Sequence, residues 1–125
     1  MSHTHTESLQ EILQDLHRRI EGLEAISIIR RDGTVLAQLH SGLKHSNTEA
    51  IFQEFATLTR EVCQALQQSA HTEAMIKAQN RFLALYSTEG TEIVLGIIGQ
   101  ATINFGLLNS GCRIAIEKLE QLFSD

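Results

Sequence analysis

The chain contains no proline and only two cysteines, few of its residues are aromatic, and its ten basic residues are outnumbered by fifteen acidic ones. Without proline, the usual marker of rigid linkers and domain joints is missing, and 125 residues fall in the usual size range of one domain. Two cysteines are too few for a disulfide framework in so small a chain, and Cys63 and Cys112 lack the local Cys-x-x-Cys or Cys/His pairs of a zinc site. Both fall in helical patterns among apolar neighbours, where a reduced thiol packs as a small hydrophobe. The net charge of -5, with Lys and Arg scattered, excludes a phosphate-tracking nucleic-acid surface. Long apolar runs are missing as well: the most apolar stretch, Ile93–Ile98, is far shorter than the roughly 20 residues a bilayer requires. No Gly-Lys pair occurs, so there is no P-loop to hold nucleotide phosphates. The polar start, Met1–Glu7, lacks the features of a secretory signal and points to the cytoplasm. Residues 1–7 read as a flexible tail and residues 8–125 as the single domain.

What is present is an ordinary globular composition, 42% hydrophobic and 20% charged, with clear periodicity. Leu9, Ile12, Leu13, Leu16, Ile20 and Leu23 recur at helical spacing behind a Ser8-Leu-Gln-Glu11 capping box, and Gly22 supplies the stop. The runs Ile26–Ile29 and Thr34–Leu39 flank Asp32-Gly33, a hairpin signal. After a polar loop, Ser46-Asn-Thr-Glu49 opens a second helix whose apolar stripe is Ile51, Phe55, Leu58, Val62 and Leu66. Phe52, Ala56 and Cys63 widen that stripe onto an adjoining face, which predicts that the helix touches two surfaces. Its opposite side carries Gln53, Thr57, Arg60, Gln64, Gln67 and Gln68. Three strands are expected at Glu73–Gln79, Arg81–Ser87 and Thr91–Ile98, with Glu89-Gly90 turning between the last two. Glu73 and Lys77 suit an edge strand, and the doubly apolar Ile93–Ile98 a central one. A final helix from about Asn104 packs Leu108, Cys112, Ala115, Leu119 and Leu122 inward. This order predicts an antiparallel sheet with helices on its faces.

Catalytic chemistry finds little support in the residues. His3 and His5 fall in the tail, His17 on the polar side of the first helix, and His40, His45 and His71 in or beside loops; none forms the four-residue pair of a helical zinc site. Cys63, set among apolar residues, lacks the electropositive surroundings that activate a thiolate. Gly96 and Gly99 read as places of close packing. Arg60 and Glu61 read either as a solvated helix face or as part of a docking surface. No enzymatic activity, cofactor or metal is expected.

The element order, with Ile26-Ser-Ile-Ile-Arg-Arg-Asp-Gly-Thr-Val-Leu-Ala37 near the start, resembles the Roadblock light-chain family. Phe82–Ile98 is similar to that family's closing strand pair, and Asn104-Phe-Gly-Leu-Leu108 to its entry into the last helix. The likeness spans about Leu9 to Phe123. It implies a profilin-like or longin-like α/β sandwich, an α+β arrangement of a five-stranded antiparallel sheet with the second helix on one face and the first and third on the other. It further implies a homodimer, or a heterodimer with a paralogue, joined through third strands edge to edge and second helices side by side. Phe52, Ala56, Cys63, Glu73, Met75 and Lys77 are then the interface residues. Prokaryotic members of MglB type partner Ras-like small GTPases, acting by contact without a catalytic arginine of their own. That role implies docking through Gln53, Thr57, Arg60, Gln64 and Gln67. The sequence departs from the longer GTPase-activating members in having no extended C-terminal tail. Two alternative readings are a structural adaptor in a motor or signalling assembly and a sandwich domain that senses a small molecule.

Overall fold

The computed structural model describes residues 2–41, 45–68, 73–88 and 92–123. Chain reversals fall where the sequence supplies a residue able to make them. Gly22, at φ +96°, joins helix α1 (Ser2–Arg19) to strand β1 (Leu23–Arg30), and Gly33, at φ +98°, helps to close the hairpin to β2 (Val35–His40). In that turn Asp32 Oδ1 accepts the Thr34 amide at 2.9 Å, and this bonding holds the Asp32 carboxyl below its ordinary value. Helix α2 (His45–Ala65) follows, then β3 (Glu73–Lys77), β4 (Arg81–Ser87), β5 (Ile93–Gln100) and helix α3 (Phe105–Leu122). Asn104 caps α3, its Oδ1 accepting the Leu107 amide at 3.1 Å.

The strands form one antiparallel sheet in the order β2-β1-β5-β4-β3. β5 is central and buried from Ile93 to Gly99, as its doubly apolar pattern predicts, and β3 is an edge. Alternate residues of each strand serve the two faces. Ile26, Ile28, Phe82, Ala84, Tyr86, Leu95 and Ile97 pack under α1 and α3. Ala25, Ile29, Leu85, Val94 and Ile98 pack under α2 with Phe52 and Phe55. One helix therefore covers one face and two cover the other. Close packing accounts for Gly99: a Cβ there would lie 2.9 Å from the Gly22 carbonyl oxygen and 2.7 Å from the Phe82 ring.

Several boundaries differ from the sequence expectation. Helix α1 begins at Ser2, so residues 2–7 are helical and the Ser8–Glu11 box lies within the helix; the His5 ring stands 5.1 Å from that of Phe123. Helix α2 likewise starts at His45, one residue ahead of its expected cap at Ser46. β3 stops at Lys77 because Gln79 and Asn80 are needed for the turn, across which Ala78 N donates to Arg81 O at 2.8 Å. The expected Glu89-Gly90 turn and His71 lie outside the described residues.

Candidate functional site

Helix α2 decides what surface the molecule presents, because it carries two apolar stripes and only one can meet the sheet. The inner stripe is Phe52, Phe55, Thr59 and Cys63, all buried, with Ala56 half-buried beside it. Phe52 is 1% exposed and lies over Gly96, where a Cβ would come within 2.6 Å of its ring. Gly96 pairs with Ser27 on one side and Leu85 on the other. The small residues at Ser27 and Gly96 leave a dip on this face of the sheet, and a flat ring fills it. Thr59 is accepted in the inner stripe because its hydroxyl donates to the Phe55 carbonyl at 2.8 Å.

This arrangement reverses part of the sequence expectation. Of the residues expected to face a second molecule, Phe52 and Ala56 pack on the chain's own sheet and Cys63 is buried. Ile51, Leu58, Val62 and Leu66, expected to be core, are 40 to 65% exposed. Their spacing of seven, four and four residues places them on one side of the helix. The physical reason is that both stripes have helical period and similar apolarity, so only the sheet's dip at Gly96 distinguishes them.

On β3, Met75 and Ile76 are the exposed apolar side chains. Ile76 pairs with Leu83 on the α2 side of the sheet, and Met75 with Ala84 on the α3 side. Glu73 and Lys77 also lie on the α3 side. The Glu73 carboxylate accepts two hydrogen bonds from Arg113, Nε to Oε2 and Nη2 to Oε1, both at 3.0 Å. That pairing raises the Arg113 guanidinium above its ordinary value. Lys77 Nζ stands 4.5 Å from the centre of the Phe105 ring, which itself meets Phe82 edge-on at 5.2 Å. Arg113 and Phe105 thus brace the edge strand from α3. Sequence reading did not find them, since only the fold brings residue 113 to residue 73.

The polar residues of α2 occupy a separate side. Gln53, Thr57 and Gln64 are exposed and Arg60 is half-buried, while Gln67, expected on this side, lies exposed past the end of the helix at φ +59°. Gln53 Nε2 donates to the Gly33 carbonyl at 3.1 Å, and Arg60 Nη1 reaches the Arg31 carbonyl at 3.5 Å. Two of the five expected docking residues therefore also tie α2 to the β1–β2 turn. The void beneath them, lined in part by Ala56, Thr59 and Val94, measures about 10 Å³, room for one water and no organic ligand. Behind the sheet, Tyr86 donates to Asn109 Oδ1 at 2.6 Å, and burial pushes its phenol up and the Cys112 thiol up to about 12. Among the described residues no group of three or more metal-ligating side chains comes together, and no helix is long and apolar enough to cross a membrane.

A five-stranded antiparallel sheet with α2 on one face and α1 and α3 on the other is the Roadblock/LC7 fold, and solved structures of that class superpose over nearly the whole chain. The gliding protein MglB of Thermus thermophilus is 19% identical over 92% of this chain and 87% of its own, with a TM-score of 0.79. MglB of Myxococcus xanthus is 11% identical over 95% and 90%, with a TM-score of 0.81. A Roadblock/LC7 domain of Streptomyces avermitilis is 12% identical over 91% and 96%, with a TM-score of 0.77. At these identities the likeness is one of fold. No family model and no curated protein matches the sequence.

Proposed function

We propose that this chain is a Roadblock-family regulator of MglB type: a non-catalytic, cytoplasmic homodimer of one domain per chain that binds a Ras-like small GTPase and modulates its cycle. The observation that carries the reading is the uncovered apolar side of α2. Ile51, Leu58, Val62 and Leu66 lie in water in the monomer, in the same molecule as an open edge strand with Met75 and Ile76 exposed. Contiguous exposed apolar surface marks an association site, and the matching surface of a second copy is its simplest cover. The Roadblock fold and the superposition on MglB support the assignment of class.

The polar side of α2, with Thr57 and Gln64, remains accessible when the apolar side is covered, and serves as the GTPase-docking surface with Gln53, Arg60 and, just past the helix, Gln67. Capture from native lysate onto immobilised protein, with GDP or a non-hydrolysable GTP analogue present, tests the partner. A small GTPase is expected among the captured proteins, and a Thr57→Glu/Gln64→Glu variant, altered only at exposed positions, is expected to lose it. Capture of motor or kinase subunits with no GTPase would overturn this reading.

A further inference from the structure

The small void between α2 and the sheet measures about 10 Å³, the room of one small particle. Ala56 of the helix and Leu85 and Val94 of the sheet give it apolar walls, and two arginines, Arg31 and Arg60, share its lining. They arrive from different elements. Arg31 Nη2 donates to the Thr88 carbonyl at 3.4 Å, and Arg60 Nη1 donates to the Arg31 carbonyl at 3.5 Å. Both arginines are half-buried, and among the described residues no carboxylate lines the void. Like charges around a space shielded from water repel more strongly than they would in bulk solvent. Arginine does not deprotonate in proteins, so the pair cannot relieve that repulsion by losing a proton.

We propose that this void is a binding site for one small monovalent anion, a halide such as chloride, held between Arg31 and Arg60. The inference goes beyond the GTPase reading and stands without it. A guanidinium group only donates, and Thr59, which also lines the void, spends its hydroxyl hydrogen on the Phe55 carbonyl, so the occupant must chiefly accept. A water accepts but leaves the repulsion between the arginines in place. A halide accepts and carries the opposite charge. Sulfate, phosphate and larger anions are excluded by size, whereas chloride is only a little larger than water and the long arginine side chains can draw back that far. A weakly hydrated halide also tolerates the apolar walls at Ala56, Leu85 and Val94. Because Arg60 belongs to α2 and Arg31 follows β1, the bound ion ties the helix to the β1–β2 turn beside the bond from Gln53 to Gly33.

Urea unfolding of the full chain in sodium chloride and in sodium gluconate, at equal ionic strength and one protein concentration, reads the site, because a ligand that binds only the folded state stabilises it by mass action. Gluconate is too large for the void. The unfolding constant is expected to fall as chloride replaces gluconate, by about tenfold once chloride stands tenfold above its dissociation constant. Arg60→Gln removes one of the two charges and keeps a polar side chain. It is expected to lose the chloride-specific part of the response and to keep the general salt response that both proteins share. The same chloride response in wild type and Arg60→Gln, or none specific to chloride in wild type, overturns the proposal and leaves a water in the void. Crystals of the wild-type protein grown in sodium bromide supply a second reading that needs no variant. One anomalous scattering peak is expected between the guanidinium groups of Arg31 and Arg60. Peaks only at exposed side chains such as Arg18, 70% exposed, mark an adventitious ion only, and that result, like the absence of any peak, overturns the site.

Discussion

The contact between Phe52 and Gly96 decides which side of α2 faces the sheet, and it can be tested by changing both residues. A methyl group at residue 96 would lie 2.6 Å from Cδ1 and 2.7 Å from Cε1 of Phe52. Carbon atoms prefer about 3.5–4.0 Å, so the ring would have to retreat by roughly 1 Å. Phe52 is buried in a cluster with Phe55, Leu85 and Val94, so a shift of its ring must displace packed neighbours. Overpacking of this kind costs about 1–3 kcal/mol, offset by the roughly 0.5–1 kcal/mol that alanine gains over glycine within a strand. Phe52→Ala alone removes the ring and costs about 3–5 kcal/mol. In the double variant Gly96→Ala/Phe52→Ala the added methyl enters vacated space, so the two effects should fall short of their sum by about 1–2 kcal/mol. Urea unfolding at one fixed protein concentration measures all three variants, since association itself adds stability. Additivity within about 0.5 kcal/mol would refute the contact and return Phe52 to the outer face.

Other substitutions probe the rest of the fold. Leu95→Ala, at the centre of β5 and fully buried, should cost about 2–5 kcal/mol in urea unfolding; an unchanged midpoint would contradict the central place of β5. Asn104→Ala removes the cap of α3 and should cost about 1 kcal/mol by the same assay, with Asn104→Asp close to wild type. Cys112, at about 12 against an ordinary 9.0, keeps its proton in the folded state where the unfolded chain has released it, and Tyr86 is shifted in the same direction. The folded state then binds more protons above pH 9, so stability should fall as pH rises from about 9 to 12. Cys112→Ala should make that fall shallower in urea midpoints measured across the range; an identical slope would refute the assignment.

The sheet was largely legible in the sequence because its signals are local. Asp32-Gly33 fixes the first hairpin, Ile93–Ile98 announces a strand buried on both faces, and Asn104 marks the start of α3. The surface of α2 was not legible, since the period of an amphipathic helix reports that a stripe exists but not which of two neighbouring stripes is inside. Thr59 sits in the inner stripe because its hydroxyl bonds to the Phe55 carbonyl, a contact that exists only once the helix is built. Glu73 and Lys77 were recognisable as edge residues, but their braces, Arg113 and Phe105, come from an element far along the chain. The helical residues ahead of Ser8 were hidden behind a capping box that lies within α1.

The claim that the outer stripe of α2 is where two copies meet is tested most directly by sedimentation equilibrium of three proteins. Wild type is expected to be a dimer at micromolar concentration. Leu58→Asp/Val62→Asp places charges in the apolar contact and should raise the dissociation constant by about a hundredfold or more, roughly 3 kcal/mol, with the monomer still folded. Ala56→Asp, on the half-buried inner side, should instead lower the unfolding temperature, because its charge would lie against the sheet. A monomeric wild type, or a Leu58→Asp/Val62→Asp protein that associates as tightly as wild type, would contradict the account.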